Sequence, residues 1–342
     1  MIGFTLCSNN YLALARSLVA SWVVHHPDDP FVIGLVDKRD PAINYTLPGR
    51  AEVIEVANIG IPDFEELTGK YDITELNTAV KPYYFDFLFK DRAQDKIIYL
   101  DPDILLFKPL RMVEDLLSSH SLIVTPHICS PINEELGPTD YHLLRTGIFN
   151  LGFIAIRHGP QTLSFLAWWQ DKMRNFAYRR DAEGLFYDQI WMNYLPAFYA
   201  DCHVLRDIGH NVANWNLHER LISSAHDEYR INGSIELVFF HFSHYKIDQP
   251  NTIASYNLRY TFESRPDIRP LYDLFRANVL SHGHNILKSK PCFYKYDGRA
   301  RHFGRDSESP ALGLTGNEKR IKKMITAFPL VHRLIHKLAR CL

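Results

Sequence analysis

Two carboxylates, Asp101 and Asp103, stand one residue apart at the end of an apolar run, in the stretch IIYLDPDILLFKP (residues 97–109). Carboxylates held this close repel each other unless a cation compensates their charge. Their oxygens suit Mg²⁺ or Mn²⁺, above all when the ion is shared with a phosphate. The other interpretation is a turn with solvated carboxylates, which is a common use of Asp. Residue types alone leave both open.

A second apolar run ends in a histidine and a lysine, in FFHFSHYK (residues 239–246). A histidine in such a place is often a core residue that is hydrogen-bonded to the backbone. As a neutral imidazole, His241 can instead complete a metal site with the two aspartates. Lys246 could then meet a phosphate as a point charge.

Two further polar pairs lie among apolar residues. Asp188 and Gln189 occur in FYDQIWMNYLP, where Asp can cap a helix. The chemical alternative is a carboxylate and an amide beside a reacting sugar carbon, where they would bind hydroxyls and stabilise positive charge. Asn150 and Gly152 lie in the strand-like segment FNLGF, and a glycine there predicts the close approach of a ligand or of backbone.

The segments that position these residues alternate between strand and helix patterns. Buried-strand patterns occur in IGFTLC, PFVIGLVD, AEVIEV, DKIIYLDPD and TGIFNLGFIAIR. Helical spacing occurs in NYLALARSLVASWVVHH, TELNTAVKPYYFDFLF and GPQTLSFLAWWQDKMRNF. This alternation predicts an α/β fold with a mostly parallel central sheet flanked by helices. Ligands of such sheets bind beyond the carboxyl ends of the strands, which is where Asp101 and Asp103 fall.

Composition limits the classes of function. The 342 residues are 46% hydrophobic and carry a net charge of −1, which indicates a globular protein and argues against nucleic-acid binding. Five scattered cysteines, without a CxxC pair, favour a reducing compartment. We see no signal-peptide pattern and no apolar run long enough to span a membrane. We therefore expect a cytoplasmic protein.

Domain organisation is predicted from changes in composition. Residues 1–298 read as one unit, with a nucleotide-binding half (1–110) and an acceptor half (111–298). Gly, Ser, Pro and charged residues over 299–317 predict a linker. Residues 318–342 predict a basic amphipathic helical tail. Two interpretations of the tail stay open: it lies on an anionic membrane surface, such as the inner face of the plasma membrane, or it packs on the domain.

Taken together, several of these segments resemble glycosyltransferase family 8 and its bacterial relatives of the GT-A fold. The segments, in the family's order over roughly residues 1–250, are SNNYL, TAVKPYYFDFLF, IIYLDPDILLFKPL, IFNLGFIAIR, YDQIWMN and FFHFSHYK. The resemblance implies a Rossmann-like GT-A domain and a metal-dependent glycosyltransferase. It would move a sugar from a nucleotide-sugar donor, with UDP favoured, to a glycan or glycolipid acceptor with retention of configuration. The implied pathway is cell-surface polysaccharide or lipopolysaccharide biosynthesis.

The resemblance also implies roles for individual residues. Asp101, Asp103 and His241 would hold Mn²⁺ or Mg²⁺ against the donor diphosphate. Asp188 and Gln189 would flank the anomeric carbon as catalytic residues. The implied donor-binding residues are Asn10, Tyr11, Lys81, Asp101, Asn150, Gly152 and Lys246.

One segment departs from the family pattern. The family often has Gly three residues and Lys six residues after the metal histidine, whereas this chain has His244 and Ile247. The metal ligand is therefore either His241 or His244, and we favour His241. The polar segment 209–222 is a candidate lining of the acceptor site.

Three other functions are less well supported. A nucleotidyltransferase on a related fold would need a Gly-rich loop after the first strand, and CSNNYLALARSL has no glycine. A degenerate carbohydrate-binding protein would have lost acidic residues that are all present here. A phosphatase of the haloacid dehalogenase type would have Thr or Val where this chain has Leu105.

Overall fold

The structure is a computed structural model that describes residues 1–225 and 228–294. The predicted linker (299–317) and basic tail (318–342) lie outside the described residues. The strands are β1 Ile2–Cys7, β2 Phe31–Leu35, β3 Ala51–Glu55, β4 Lys96–Leu100, β5 Ile104–Leu106, β6 Leu122–Pro126, β7 Phe149–Arg157, β8 Arg179–Arg180, β9 Leu185–Phe186, β10 Cys202–Val204, β11 Val212–Ala213, β12 Ile222–Ala225, β13 Glu228–Ile231, β14 Ile235–Glu236 and β15 Phe239–His241.

Helices occupy much of the chain between the strands. They are α1 Leu12–His25, α2 Phe64–Lys70, α3 Ile73–Ala79, α4 Lys81–Asp91, α5 Arg111–Ser119, α6 Asp140–Thr146, α7 Pro160–Phe176, α8 Leu195–Phe198, α9 Arg269–Ser281 and α10 His284–Leu287. The helix α4 begins at Lys81, with Pro82 in its first turn, where a proline costs no hydrogen bond. In the described part of the chain, no helix is both long and apolar enough to cross a bilayer.

The central sheet contains seven strands of the described chain, in the spatial order β10-β6-β7-β4-β1-β2-β3. Neighbours are parallel except at β7, which runs antiparallel to both β4 and β6. The predicted α/β fold with a mostly parallel central sheet is confirmed. The direction of β7 matters for the site, because it brings the start of this strand to the carboxyl end of β4.

Both faces of the central sheet are buried, as a mostly parallel sheet requires. Successive residues of a strand point to opposite faces. In β2, accordingly, Phe31 and Ile33 join one apolar cluster, which includes residues of α1 and α9. Val32 joins the other cluster, which includes residues of α4 and α7.

A smaller sheet pairs the apolar run that ends at His241 with the one that follows Asp103. Its order is β11-β15-β5, and β15 is antiparallel to β5, with His241 opposite Ile104. Since Ile104 directly follows Asp103, this register sets His241 beside the carboxylate pair.

Candidate metal and donor site

Three side chains from two distant segments meet at the carboxyl end of β4. One ligand atom from each of Asp101, Asp103 and His241 lies within 4.8 Å of the other two, and among the described residues this is the one such group of three His, Cys, Asp or Glu side chains. The His241 Nε2 atom is 3.0 Å from Oδ1 of Asp103 and 3.7 Å from Oδ2 of Asp101. The imidazole is only 3% exposed, whereas the two carboxylates are 32% and 23% exposed. Solvent therefore reaches the cluster from the carboxylate side.

Backbone hydrogen bonds fix the positions of these three residues. The Asp101 amide donates to the Gly152 carbonyl of β7 at 2.8 Å, and the Phe242 amide donates to the Asp103 carbonyl at 2.9 Å. The Tyr99 hydroxyl donates to Oδ1 of Asp101 at 2.5 Å. One carboxylate oxygen of Asp101 is therefore engaged by Tyr99, while the other faces His241.

The electrostatics of the cluster favour a bound positive charge. Burial works to lower the pKa of His241, but the charges of Asp103 and Asp101 outweigh it, and the pKa is raised. Burial works to raise the pKa of Asp103, but His241 outweighs it in turn, and the pKa is lowered. The two carboxylates thus attract a proton to His241. A divalent ion with oxygen and imidazole ligands can take the place of that proton.

The donor set itself fits a divalent ion. Two carboxylates and one imidazole are ligands that Mn²⁺ accepts, and the partly exposed carboxylates leave room for further oxygen ligands. His244, the other candidate ligand, lies outside the three-residue cluster. It is exposed and packs edge-on against Tyr256, with the ring centroids 4.9 Å apart. The geometry therefore favours His241.

A buried ion pair lies next to this cluster. The Lys81 Nζ atom is 2.7 Å from Oδ2 of Asp188, and both side chains are buried. Lys81 also donates to the Leu151 carbonyl at 3.1 Å and lies 4.2 Å from the centre of the Tyr99 ring. Burial raises the pKa of Asp188, Lys81 opposes that rise, and the charge of Asp101 adds to it. Asp101 and Asp188 are thus close enough to interact electrostatically.

The amide of Gln189 is held at both ends. Its Oε1 accepts hydrogen bonds from the Leu151 amide at 3.1 Å and from Asn150 Nδ2 at 3.3 Å, and its Nε2 donates to the Thr146 carbonyl at 2.8 Å. Asn150 is buried as well. The roles predicted for Gln189 at the anomeric carbon and for Asn150 at the donor sugar stay predictions.

Gly152 is needed at its position because a side chain approaches it. A Cβ atom there would lie 2.8 Å from His241 Nδ1 and 2.9 Å from Asn150 Oδ1, and closer still to His241 Cε1. The close approach expected at this glycine was that of a ligand or of backbone. That expectation stays a prediction, and in the structure the atoms nearest to this glycine belong to the side chains of His241 and Asn150.

The residues predicted to contact the nucleotide lie at the ends of β1 and β15. Tyr11 is exposed, and its pKa is raised first by burial of its hydroxyl and then by the charge of Asp103. Asn10 accepts a hydrogen bond from the Cys292 thiol at 3.5 Å. Lys246 is exposed, and its charge acts on His244. The roles predicted for these three residues in donor binding stay predictions.

A segment near the end of the described chain contributes to this edge, and the sequence interpretation missed it. The Phe293 amide donates to the buried Asp37 carboxylate at 2.7 Å, and the Lys38 Nζ atom lies 3.7 Å from the centre of the Phe293 ring. Lys290 pairs with Asp40 at 2.7 Å. The only local sign of this contact in the sequence was Asp37, at the end of the strand pattern PFVIGLVD.

Much of the polar segment 209–222, the candidate lining of the acceptor site, is buried. Its side chains His210, Asn211, Asn214 and Asn216 are buried. Asn211 donates to Thr125 Oγ1 and to Asn150 Oδ1. The expectation that this segment lines the acceptor site stays a prediction.

Comparisons with known proteins give distant similarities. No family model matches the chain. The uncharacterized protein YfnF of Bacillus subtilis (strain 168) is 22% identical over 281 residues, which are 81% of this chain and 92% of YfnF. The galactosyltransferase LgtC, solved with donor and acceptor sugar analogs, is 17% identical with a TM-score of 0.48, over 85% of this chain and 98% of LgtC. The bifunctional glycosyltransferase WbbM is 16% identical with a TM-score of 0.49, over 82% of this chain and 49% of WbbM. At these identities and TM-scores, the function has to be argued from the residues of the site.

Proposed function

We propose that this chain is a metal-dependent glycosyltransferase that moves a sugar from a nucleotide-sugar donor, with UDP as the nucleotide, to a glycan or glycolipid acceptor. The observation that carries the proposal is the meeting of the Asp101–Asp103–His241 cluster with the buried pair of Asp188 and Lys81 at one edge of the sheet. The segments that resemble glycosyltransferase family 8 contain all five residues.

The cluster would hold Mn²⁺ or Mg²⁺ through its two carboxylates and the imidazole. A divalent ion supplies charge neutralisation for a diphosphate leaving group, acting as a Lewis acid and a template. The chain's own residues prepare the place for it. Tyr99 holds one oxygen of Asp101, and the backbone bond from Phe242 holds Asp103 against β15.

Asp188 would act at the reacting sugar carbon. Lys81 favours its carboxylate form against the effect of burial, and a carboxylate stabilises the positive charge that develops on the anomeric carbon in the transition state. Gln189 would be fixed beside it by its three hydrogen bonds. Retention of configuration and a role in cell-surface polysaccharide or lipopolysaccharide biosynthesis belong to the same proposal, and the sequence resemblance supports them.

Nucleotide binding and turnover test the proposal. We expect Mn²⁺ with UDP to raise the melting temperature, because a ligand at about 100 times its Kd adds ~2.7 kcal/mol to the free energy of unfolding. A panel of UDP- and GDP-sugars should then identify a donor that releases its nucleoside diphosphate with Mn²⁺ present. Asp103→Asn should remove both effects. Asp273→Asn, at a surface ion pair of α9, is the matched control and should retain them.

The outcomes separate the hypotheses. Binding without turnover by any sugar nucleotide and acceptor would indicate a carbohydrate-binding protein with a degenerate site. The absence of any nucleotide effect in the presence of Mn²⁺ would refute the transferase assignment.

Membrane contact through residues 318–342 is a separate proposal that rests on their basic amphipathic sequence alone. Deleting these residues should abolish co-sedimentation with phosphatidylglycerol vesicles at low salt. If the shortened chain sediments equally well, the tail is not the membrane-binding element.

A further inference from the structure

The buried amide of Asn150 lies directly behind the imidazole of His241. Its Oδ1 atom is 3.2 Å from Nδ1 of His241, on the opposite side of the ring from the carboxylates. Both side chains are buried. In the neutral imidazole, the atom that Asn150 presents to Nδ1 therefore decides which ring nitrogen carries the proton.

The orientation of the Asn150 amide is set by backbone and side-chain partners on both of its sides. The backbone amide of Gly152 donates to Oδ1 of Asn150 at 3.2 Å. The Asn211 Nδ2 group donates to the same oxygen at 3.0 Å. On its other side, Asn150 Nδ2 donates to Gln189 Oε1 at 3.3 Å, an oxygen that also accepts from the Leu151 amide, and it lies 3.3 Å from Nε2 of His127. A flipped amide would place donor against donor and acceptor against acceptor.

An oxygen at this place requires a proton on Nδ1 of His241. A neutral imidazole has one N–H donor and one lone-pair nitrogen. With Nδ1–H donating to Asn150, the lone pair belongs to Nε2, the atom that is 3.0 Å from Asp103. Metal-bound histidines commonly donate their second nitrogen to such a partner, which fixes the tautomer and the ring orientation.

Asn211 is itself held in place by the fold. It is buried, its backbone has φ +51°, and its carbonyl accepts a hydrogen bond from Asn216 Nδ2 at 3.0 Å. Its Nδ2 group also donates to Thr125 Oγ1 at 2.8 Å. Asparagine tolerates the left-handed conformation better than most residues, and the pairing of β6 with β7 shifts register beside Thr125. The left-handed backbone of Asn211 thus places its side-chain amide within hydrogen-bond distance of Asn150.

We propose that Asn211, acting through Asn150, is a positioning residue that sets the tautomer of His241 and so prepares Nε2 to bind the divalent ion. The inference rests on the metal site of the proposed function but not on sugar transfer. It also gives Asn150 a task that differs from the donor-sugar contact predicted from the sequence.

The test uses two changes at Asn211 in the full-length chain. Asn211→Asp keeps the shape but removes the donor, and its carboxylate repels Oδ1 of Asn150. Asn211→Gly removes the side chain, and glycine accepts φ +51° without strain. By calorimetry, we expect Mn²⁺ to bind at least about tenfold more weakly to both variants, in the range seen when the outer partners of metal ligands are lost. Asn232→Gly, at another asparagine with φ +51°, is the matched control and should bind Mn²⁺ like the wild type.

A spectroscopic readout separates positioning from loss of folding. In ¹⁵N-histidine protein saturated with Zn²⁺, the two-bond ¹⁵N–¹H couplings of the wild type should place the proton of His241 on Nδ1. In Asn211→Asp we expect the proton on Nε2, so that His241 no longer ligates the ion. The signal is assigned by its disappearance in His241→Gln.

The results distinguish this inference from the proposed function. If His241→Gln leaves Mn²⁺ affinity unchanged, the metal site itself is wrong. If His241→Gln weakens binding while both folded Asn211 variants keep wild-type affinity and the Nδ1–H pattern, the positioning role alone is overturned. Loss of transferase activity plays no part in either decision.

Discussion

Replacing Gly152 by alanine should push the imidazole of His241 out of the metal cluster. The new Cβ would lie 2.8 Å from Nδ1 of His241 and 2.9 Å from Oδ1 of Asn150. Since ordinary contacts between such atoms lie near 3.5 Å, the ring must retreat by roughly 0.7 Å or more. The ring can retreat only by loosening its 3.0 Å contact with Asp103 or by moving β15.

Two magnitudes follow from this clash. Overpacking of a buried site costs about 1–3 kcal/mol of the free energy of unfolding, which urea denaturation measures. Displacement of a metal ligand should also weaken Mn²⁺ binding by at least about tenfold, or ~1.4 kcal/mol, which calorimetry measures. Gly69→Ala is the control, because its Cβ would meet nothing within 4 Å. In the helix α2 it should be neutral or stabilise the protein by up to ~1 kcal/mol.

A double-mutant cycle identifies the cause. If the clash is with the ring, Gly152→Ala should cost less in a His241→Ala background, with a coupling energy within the 0.5–3 kcal/mol usual for residues in contact. A coupling near zero, or a Gly152→Ala protein with wild-type stability and Mn²⁺ affinity, would refute the reasoning.

Three further predictions test other contacts. In the metal-free protein, the neighbouring carboxylates outweigh burial and raise the pKa of His241, so its pairing with Asp103 stabilises the fold fully below the unfolded pKa of about 6.5. This stabilisation is lost as the pH rises from the unfolded pKa through the folded pKa. Urea titrations across this pH range should therefore show a steeper fall in the free energy of unfolding for the wild type than for His241→Gln. Lys81→Met leaves the carboxylate of Asp188 buried without its partner and should cost about 3–5 kcal/mol in urea denaturation; Lys81→Met with Asp188→Asn should recover much of it, and an equal loss in both would contradict the ion-pair account. Asp72 accepts hydrogen bonds from two amides at the start of α3, so Asp72→Ala should cost about 0.5–2 kcal/mol, and an unchanged urea midpoint would show that the cap is dispensable.

Part of the candidate site could be predicted because its signals are local. The run IIYL ahead of Asp101 marks a buried strand, and the carboxyl end of such a strand is a usual ligand site. Asp188 stood out as a charge among aromatic residues. The prediction of His241 went further, since it joined two segments far apart in the chain, and it depended on a family resemblance as well as on residue type.

Other features could not be predicted from local patterns. The burial of Asn211 within 209–222 was missed because a polar segment reads as exposed unless its partners are known. The contact of Phe293 with Asp37 joins segments that are far apart in the chain, and the sequence of neither segment predicts it. The reversed direction of β7 was equally hidden, because strand periodicity gives burial but not direction.

The sequence by itself determined the α/β class, the strand that ends at Asp101 and the residue types available for chemistry, because hydrophobic periodicity and residue chemistry act over short windows. Tertiary structure decided which of these residues meet. The register of β15 on β5 placed His241 beside Asp103, the approach of α4 paired Lys81 with Asp188, and the antiparallel β7 set Gly152 and Asn150 behind the imidazole. Such meetings depend on the order, direction and register of strands from distant parts of the chain, which are set by the packing of the whole sheet.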